Sequence, residues 1–106
     1  MPKYLFKANY TQMGLEGLKG RGAASRAKAI HDLTASGGGT VQGVYFAFGD
    51  TDLYVVVNLP DDEAAAGIAL TVGAAGGATV ETVKLLTPEQ VDEAIGRTIA
   101  YRPPGS

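Results

Sequence analysis

The chain has 106 residues, nine basic and eleven acidic side chains, a net charge of −2 and no cysteine. This excludes disulfides, thiolate metal centres, iron–sulfur clusters and cysteine nucleophiles, and it leaves no basic excess to neutralise phosphates as general nucleic-acid binding requires. A chain of this length buries roughly 60–70% of its unfolded surface, and its 15 glycines and five prolines stay below the range of disordered segments, so a single small globular domain over residues 1–106 is expected.

Residues 3–9 alternate, with Tyr4, Phe6 and Ala8 on one face and Lys3, Leu5, Lys7 and Asn9 on the other, the pattern of a strand with one strongly apolar side. Thr11 can cap a helical turn, but Gly14, Gly17, Gly20 and Gly22 predict no continuous helix over 11–22. A helix is predicted over 23–35, with Ala23, Ala27, Ile30 and Leu33 on one side, closed by Gly37-Gly38-Gly39. Residues 40–48 read as a second strand with Val41, Gly43, Tyr45 and Ala47 on one face and Gln42, Val44, Phe46 and Phe48 on the other. Gly49-Asp50-Thr51-Asp52 makes a hairpin turn, and residues 53–59 a third strand, apolar on both faces except at Asn58. Pro60 ends it, and Asp61, Asp62 and Glu63 suit the positive end of a helix reaching residue 75. Residues 78–86 form a fourth strand. Thr87-Pro88-Glu89-Gln90 is a capping box with proline at the first helical position, opening a last helix that reaches 95 to 98 before a tail over 101–106.

The order is β-α-β-β-α-β plus a terminal helix, an α+β chain with the ferredoxin-like pattern: an antiparallel four-stranded sheet with helices on one face. Because the second and third strands are apolar on both faces, the open face needs a cover, and the simplest is the sheet of a second copy. A homodimer through that face is therefore expected.

Three features together resemble the GYD domain family. They are the Pro2-Lys3-Tyr4 strand leading to Asn9-Tyr10-Thr11 and a glycine; the Tyr45-x-x-x-Gly49-Asp50-Thr51-Asp52 hairpin before an apolar strand; and Leu59-Pro60-Asp61-Asp62-Glu63-Ala64-Ala65-Ala66 followed by Thr79-x-Glu81-Thr82. The resemblance spans about residues 2–95 and implies the dimeric α/β-barrel arrangement, in which two ferredoxin-like sheets pack into a barrel. It implies no particular activity, since relatives of that broader fold include cofactor-free monooxygenases, haem-degrading enzymes, isomerases and ligand-sensing domains. The chain departs from the family pattern at the hairpin, where Thr51 stands in place of the aromatic.

Candidate catalytic residues are His31, Tyr10, Tyr45 and Asp52. His31 is the single histidine and so the one side chain that ordinarily titrates near neutrality; it reads either as a base opening on a cleft or as a residue at the border of a helix's apolar face, and the absence of a local acid or ligand partner favours the border. Asp50 and Asp52 read first as turn residues, and two carboxylates fall short of the six or more oxygens calcium takes. Lys7 and Asn9, with Lys3, lie on the open face of the first strand, where they can meet a ligand inside a barrel or leave their polar ends in water. Tyr10 and Tyr45 are expected to line that same cavity. Lys19, Arg21, Arg26 and Lys28 form a basic run that suits either an anion near a helix start or a solvated surface. Gly20-Arg21-Gly22 imitates a dinucleotide loop, but the preceding strand ends too far upstream. With one histidine and no cysteine, a protein-only zinc site would take its other ligands from carboxylates.

These observations lead to a small homodimeric module that binds a small apolar or aromatic molecule, with no cofactor and no metal. One alternative is a cofactor-independent monooxygenase or isomerase acting on a small aromatic substrate; another is a structural subunit assembling further through Leu70. The opening residues run into a strand with no apolar signal region, and residues 64–75 are too short to cross a bilayer. A cytoplasmic protein with neither membrane nor nucleic-acid partners is expected, which makes the Asn9-Tyr10-Thr11 glycosylation pattern idle.

Overall fold

The computed structural model describes residues 1–105; Ser106, the last residue of the expected tail, lies outside them. The elements are β1 (Lys3–Tyr10), α1 (Gln12–Arg21), α2 (Ala23–Ser36), β2 (Thr40–Phe46), β3 (Leu53–Asn58), α3 (Asp62–Ala75), β4 (Ala78–Leu85) and α4 (Pro88–Ile95). The four strands form one antiparallel sheet in the order β2-β3-β1-β4, the ferredoxin-like arrangement. The sheet is open, with α2 packed near β2 and α3 near β4 on one face.

The alternation in β1 decides which face is covered. Tyr4, Phe6 and Ala8 are buried beside Leu53, Val55 and Val57 of β3, and Leu59, Ala65 and Ile68 close the core over them. Ile30 and Leu33 of α2 and Val72 of α3 pack around this cluster. The α3 helix starts at the expected acidic run and α4 at the expected capping box. The Asp61 carboxylate accepts from the Ala64 amide at 2.9 Å, and Thr87 and Gln90 exchange the two bonds of the capping box at 2.7 and 3.2 Å.

Two expectations are corrected. Residues 12–21 form a continuous helix despite their glycines, because tertiary contacts hold its start. Thr11 donates through its amide to the Gly77 carbonyl at 3.0 Å and through its hydroxyl to the Gly76 carbonyl at 2.8 Å. Gly14 then seats the helix against the α3–β4 turn: a Cβ there would lie 1.9 Å from the Gly77 oxygen. The helix thus uses glycine for close approach, which outweighs its low propensity.

The second correction is in β2, which ends at Phe46 and carries a bulge at Gln42. Val41 pairs with Val57 while Gly43 pairs with Val56, so the bulge turns Val41 to the core side with Val44 and Phe46 and leaves Gly43 and Tyr45 on the open face. Beyond the strand end, Phe48 takes a left-handed backbone, φ 55°, and stacks on Phe46 with ring centroids 6.0 Å apart.

After β4, α4 carries no buried residue, and Val91, Ile95, Ile99 and Tyr101 are all exposed. No described helix is long and apolar enough to cross a membrane.

Candidate functional site

Two surfaces bring together residues that the sequence singled out. The first is the open sheet face. Reading across the strands, one row runs Gly43, Val56, Leu5, Val83. The next runs Tyr45, Tyr54, Lys7, Glu81, with Lys7 paired to Glu81 at 3.6 Å. On the other side of the apolar row, Lys3 donates to Gln42 at 2.6 Å and to Asn58 at 2.9 Å. The Tyr45 ring folds over Gly43, where a Cβ would stand 2.7 Å from it, and still remains 65% exposed. The face is an apolar row between two polar ones, with no helix over it.

The second surface is a half-open cavity of about 530 Å³ on the opposite side of the sheet, lined by α1, the start of α2 and the end of α3, with Arg21, Ser25 and Arg26 exposed. Tyr10, Gly17, Leu18, Arg21, Ser25 and Arg26 are among its lining residues. The Tyr10 hydroxyl oxygen is buried and has no hydrogen-bond partner. Burial pushes the Tyr10 phenol up, against the pull of the Arg26 charge and with the push of Asp52. Neither Arg21 nor Arg26 forms an ion pair among the described residues.

Tyr10 and Tyr45 were expected to line one cavity, but they lie on opposite faces of the sheet. Tyr10 continues the even-numbered, helix-facing series of β1 against the core, whereas Tyr45 shares its row with Lys7. Asp52 and Asn9 meet Tyr10 in a clamp. The Asp52 carboxylate accepts from the Tyr10 amide at 3.0 Å, and the Asn9 side-chain oxygen Oδ1 accepts from the Asp52 amide at 2.9 Å. These bonds fasten the β2–β3 hairpin to the end of β1. His31 is exposed on α2, and Asp50 is exposed in the hairpin. The four candidate catalytic side chains therefore do not converge. Lys28 is taken up by Asp32 on its own helix at 3.0 Å, and Leu70 is 74% exposed on α3. No group of three or more His, Asp or Glu side chains able to hold a metal occurs among the described residues.

Sequence reasoning missed one polar cluster. The Tyr4 hydroxyl donates to Asp62 at 2.5 Å, and Lys84 donates to the same carboxylate oxygen at 2.9 Å. Burial, then the bond to Asp62, pushes the Tyr4 phenol up to about 12; the Tyr4 and Lys84 donors hold the Asp62 carboxyl below its usual range. A tyrosine at a core-facing strand position was the available signal, since a buried hydroxyl demands a partner. The cluster edges a groove of about 830 Å³ between α3 and β4, floored by alanines and Leu70. Its polar groups satisfy one another and leave little to orient a ligand, whereas the Tyr10 cavity keeps its donors unpaired.

The family model of the GYD domain matches residues 4–95 of the chain. The chain belongs to the GYD domain family. The match runs from the core-facing Tyr4 of β1 to the end of α4, so every strand and helix that frames the two surfaces is part of the GYD domain. In this GYD domain Thr51 is buried in the hairpin, next to the Asp52 clamp. No curated protein and no solved structure matches the chain.

Proposed function

We propose that this GYD domain is a small-molecule-binding module that works as a homodimer, two copies meeting through their open sheet faces to close an α/β barrel. The observation that carries this reading is the uncovered row Gly43, Val56, Leu5, Val83. Apolar side chains on a face that no helix covers gain by removal from water, and a second sheet packed face to face is one way to remove them. The flanking Tyr45, Tyr54 and Lys7 supply aromatic surface and donors at the edge of the space between the sheets, the mixture small-molecule sites use.

Native mass spectrometry of the full chain and of Leu5→Arg at micromolar concentration tests it. The expected result is twice the 10.9 kDa chain mass for the wild type and a folded monomer for Leu5→Arg, where a guanidinium replaces the centre of the apolar row. Additional mass released on denaturation identifies a bound ligand. A wild type that stays monomeric overturns the reading.

A further inference from the structure

The unpaired donors of the second cavity have a use that lies outside the dimer reading. We propose that the cavity between α1 and α2 is a binding site for a small carboxylate with an apolar body. The carboxylate would accept from the Tyr10 hydroxyl and the Arg21 and Arg26 guanidiniums, with the body against Leu18 and Val72.

Four observations converge on this chemistry. The volume of about 530 Å³ falls within the range of small-molecule sites. The Tyr10 hydroxyl is buried without a partner; such a group is costly to leave empty-handed, and a bound acceptor removes that cost. Arg21 and Arg26 line the cavity and are absent from the four ion pairs among the described residues, while no acidic side chain lines it. The charge on the lining itself is therefore positive, with Asp52 the nearby carboxylate felt at Tyr10, and the guanidinium fork matches a carboxylate in two-pronged geometry. Finally, α2 begins at Gly22 with no side-chain cap, so its first amides are free to face an anion, with Gly22 and Ser25 both on the cavity wall. The opposite wall is apolar, which favours an organic acid over a bare inorganic anion. Gly17 leaves the room for the body, since a Cβ there would meet nothing within 4 Å.

Calorimetric titration with benzoate, its neutral analogue benzamide and inorganic phosphate tests the site. Benzoate is expected to bind the wild type at least tenfold more tightly than benzamide or phosphate. Arg26→Gln and Tyr10→Phe should each weaken benzoate at least tenfold. Without ligand, Tyr10→Phe should melt at or above the wild-type temperature, because the hydroxyl it removes has no partner to lose. Gly17→Leu should fill the cavity and abolish binding while remaining folded. Monomeric Leu5→Arg should bind benzoate as the wild type does, because the site lies on the covered side of the sheet. The proposal is overturned if benzoate binds no better than benzamide, if phosphate binds as well as benzoate, or if Arg26→Gln and Tyr10→Phe leave the affinity unchanged. Loss of binding in Leu5→Arg would also overturn it, by placing the anion at the dimer face.

Discussion

Tyr4→Phe separates the Tyr4–Asp62–Lys84 cluster from the packing around it, because it removes one oxygen and keeps the ring that is 2% exposed in the core. At neutral pH it deletes a charge-assisted bond, a loss of about 1.5–3 kcal/mol in a dry setting. The Asp62 side chain is 65% exposed and keeps Lys84 at 2.9 Å, so no buried carboxylate is orphaned and the expected cost is near 1 kcal/mol. At high pH this advantage is lost. The folded phenol titrates at about 12 rather than 10, so an unfolded chain loses the Tyr4 proton first, and stability present below pH 10 is lost as pH rises towards 12. At about 1.4 kcal/mol per pH unit the full gap is on the order of 3 kcal/mol, and solvent at the exposed Asp62 end reduces it to about 1–2 kcal/mol. Urea unfolding of both proteins at intervals from pH 7 to 11.5 should show the wild type about 1 kcal/mol more stable at pH 7, with the two curves converging or crossing above pH 10. Contributions common to both proteins cancel in the difference. A constant difference across the whole range would refute the argument that the folded state holds this proton.

Gly14→Ala and Gly17→Ala should move stability in opposite directions in the same urea assay. The first drives a Cβ to 1.9 Å from the Gly77 oxygen and should cost about 3 kcal/mol or more; the second enters open space and should gain about 0.5–1 kcal/mol from helix propensity. Thr87→Ala should reduce the helical circular dichroism of α4, at a local cost of about 1 kcal/mol, and leave the global unfolding midpoint in place, because α4 carries no buried residue.

The alternation of Tyr4, Phe6 and Ala8, the apolar third strand and the two helix starts at Asp61 and Thr87 were legible along the chain. Each depends on neighbours a few residues away: side chains alternate with period two in a strand, and a cap closes within three residues. The order of these elements was enough to reach the ferredoxin-like sheet. Tertiary structure alone decided three things. The helix over Gln12–Arg21 exists because Thr11 and Gly14 dock on Gly76 and Gly77, a contact across more than sixty residues that no local propensity reports. The bulge at Gln42 sends Val41 to the core, because one extra residue in a strand reverses the face of everything beyond it. Tyr10 stands with Arg21 and Arg26, and apart from Tyr45, because strand parity places it under the helices and the path of α1 and α2 brings the arginines there. Residue types named the possible donors, but only packing chose which of them share a cavity.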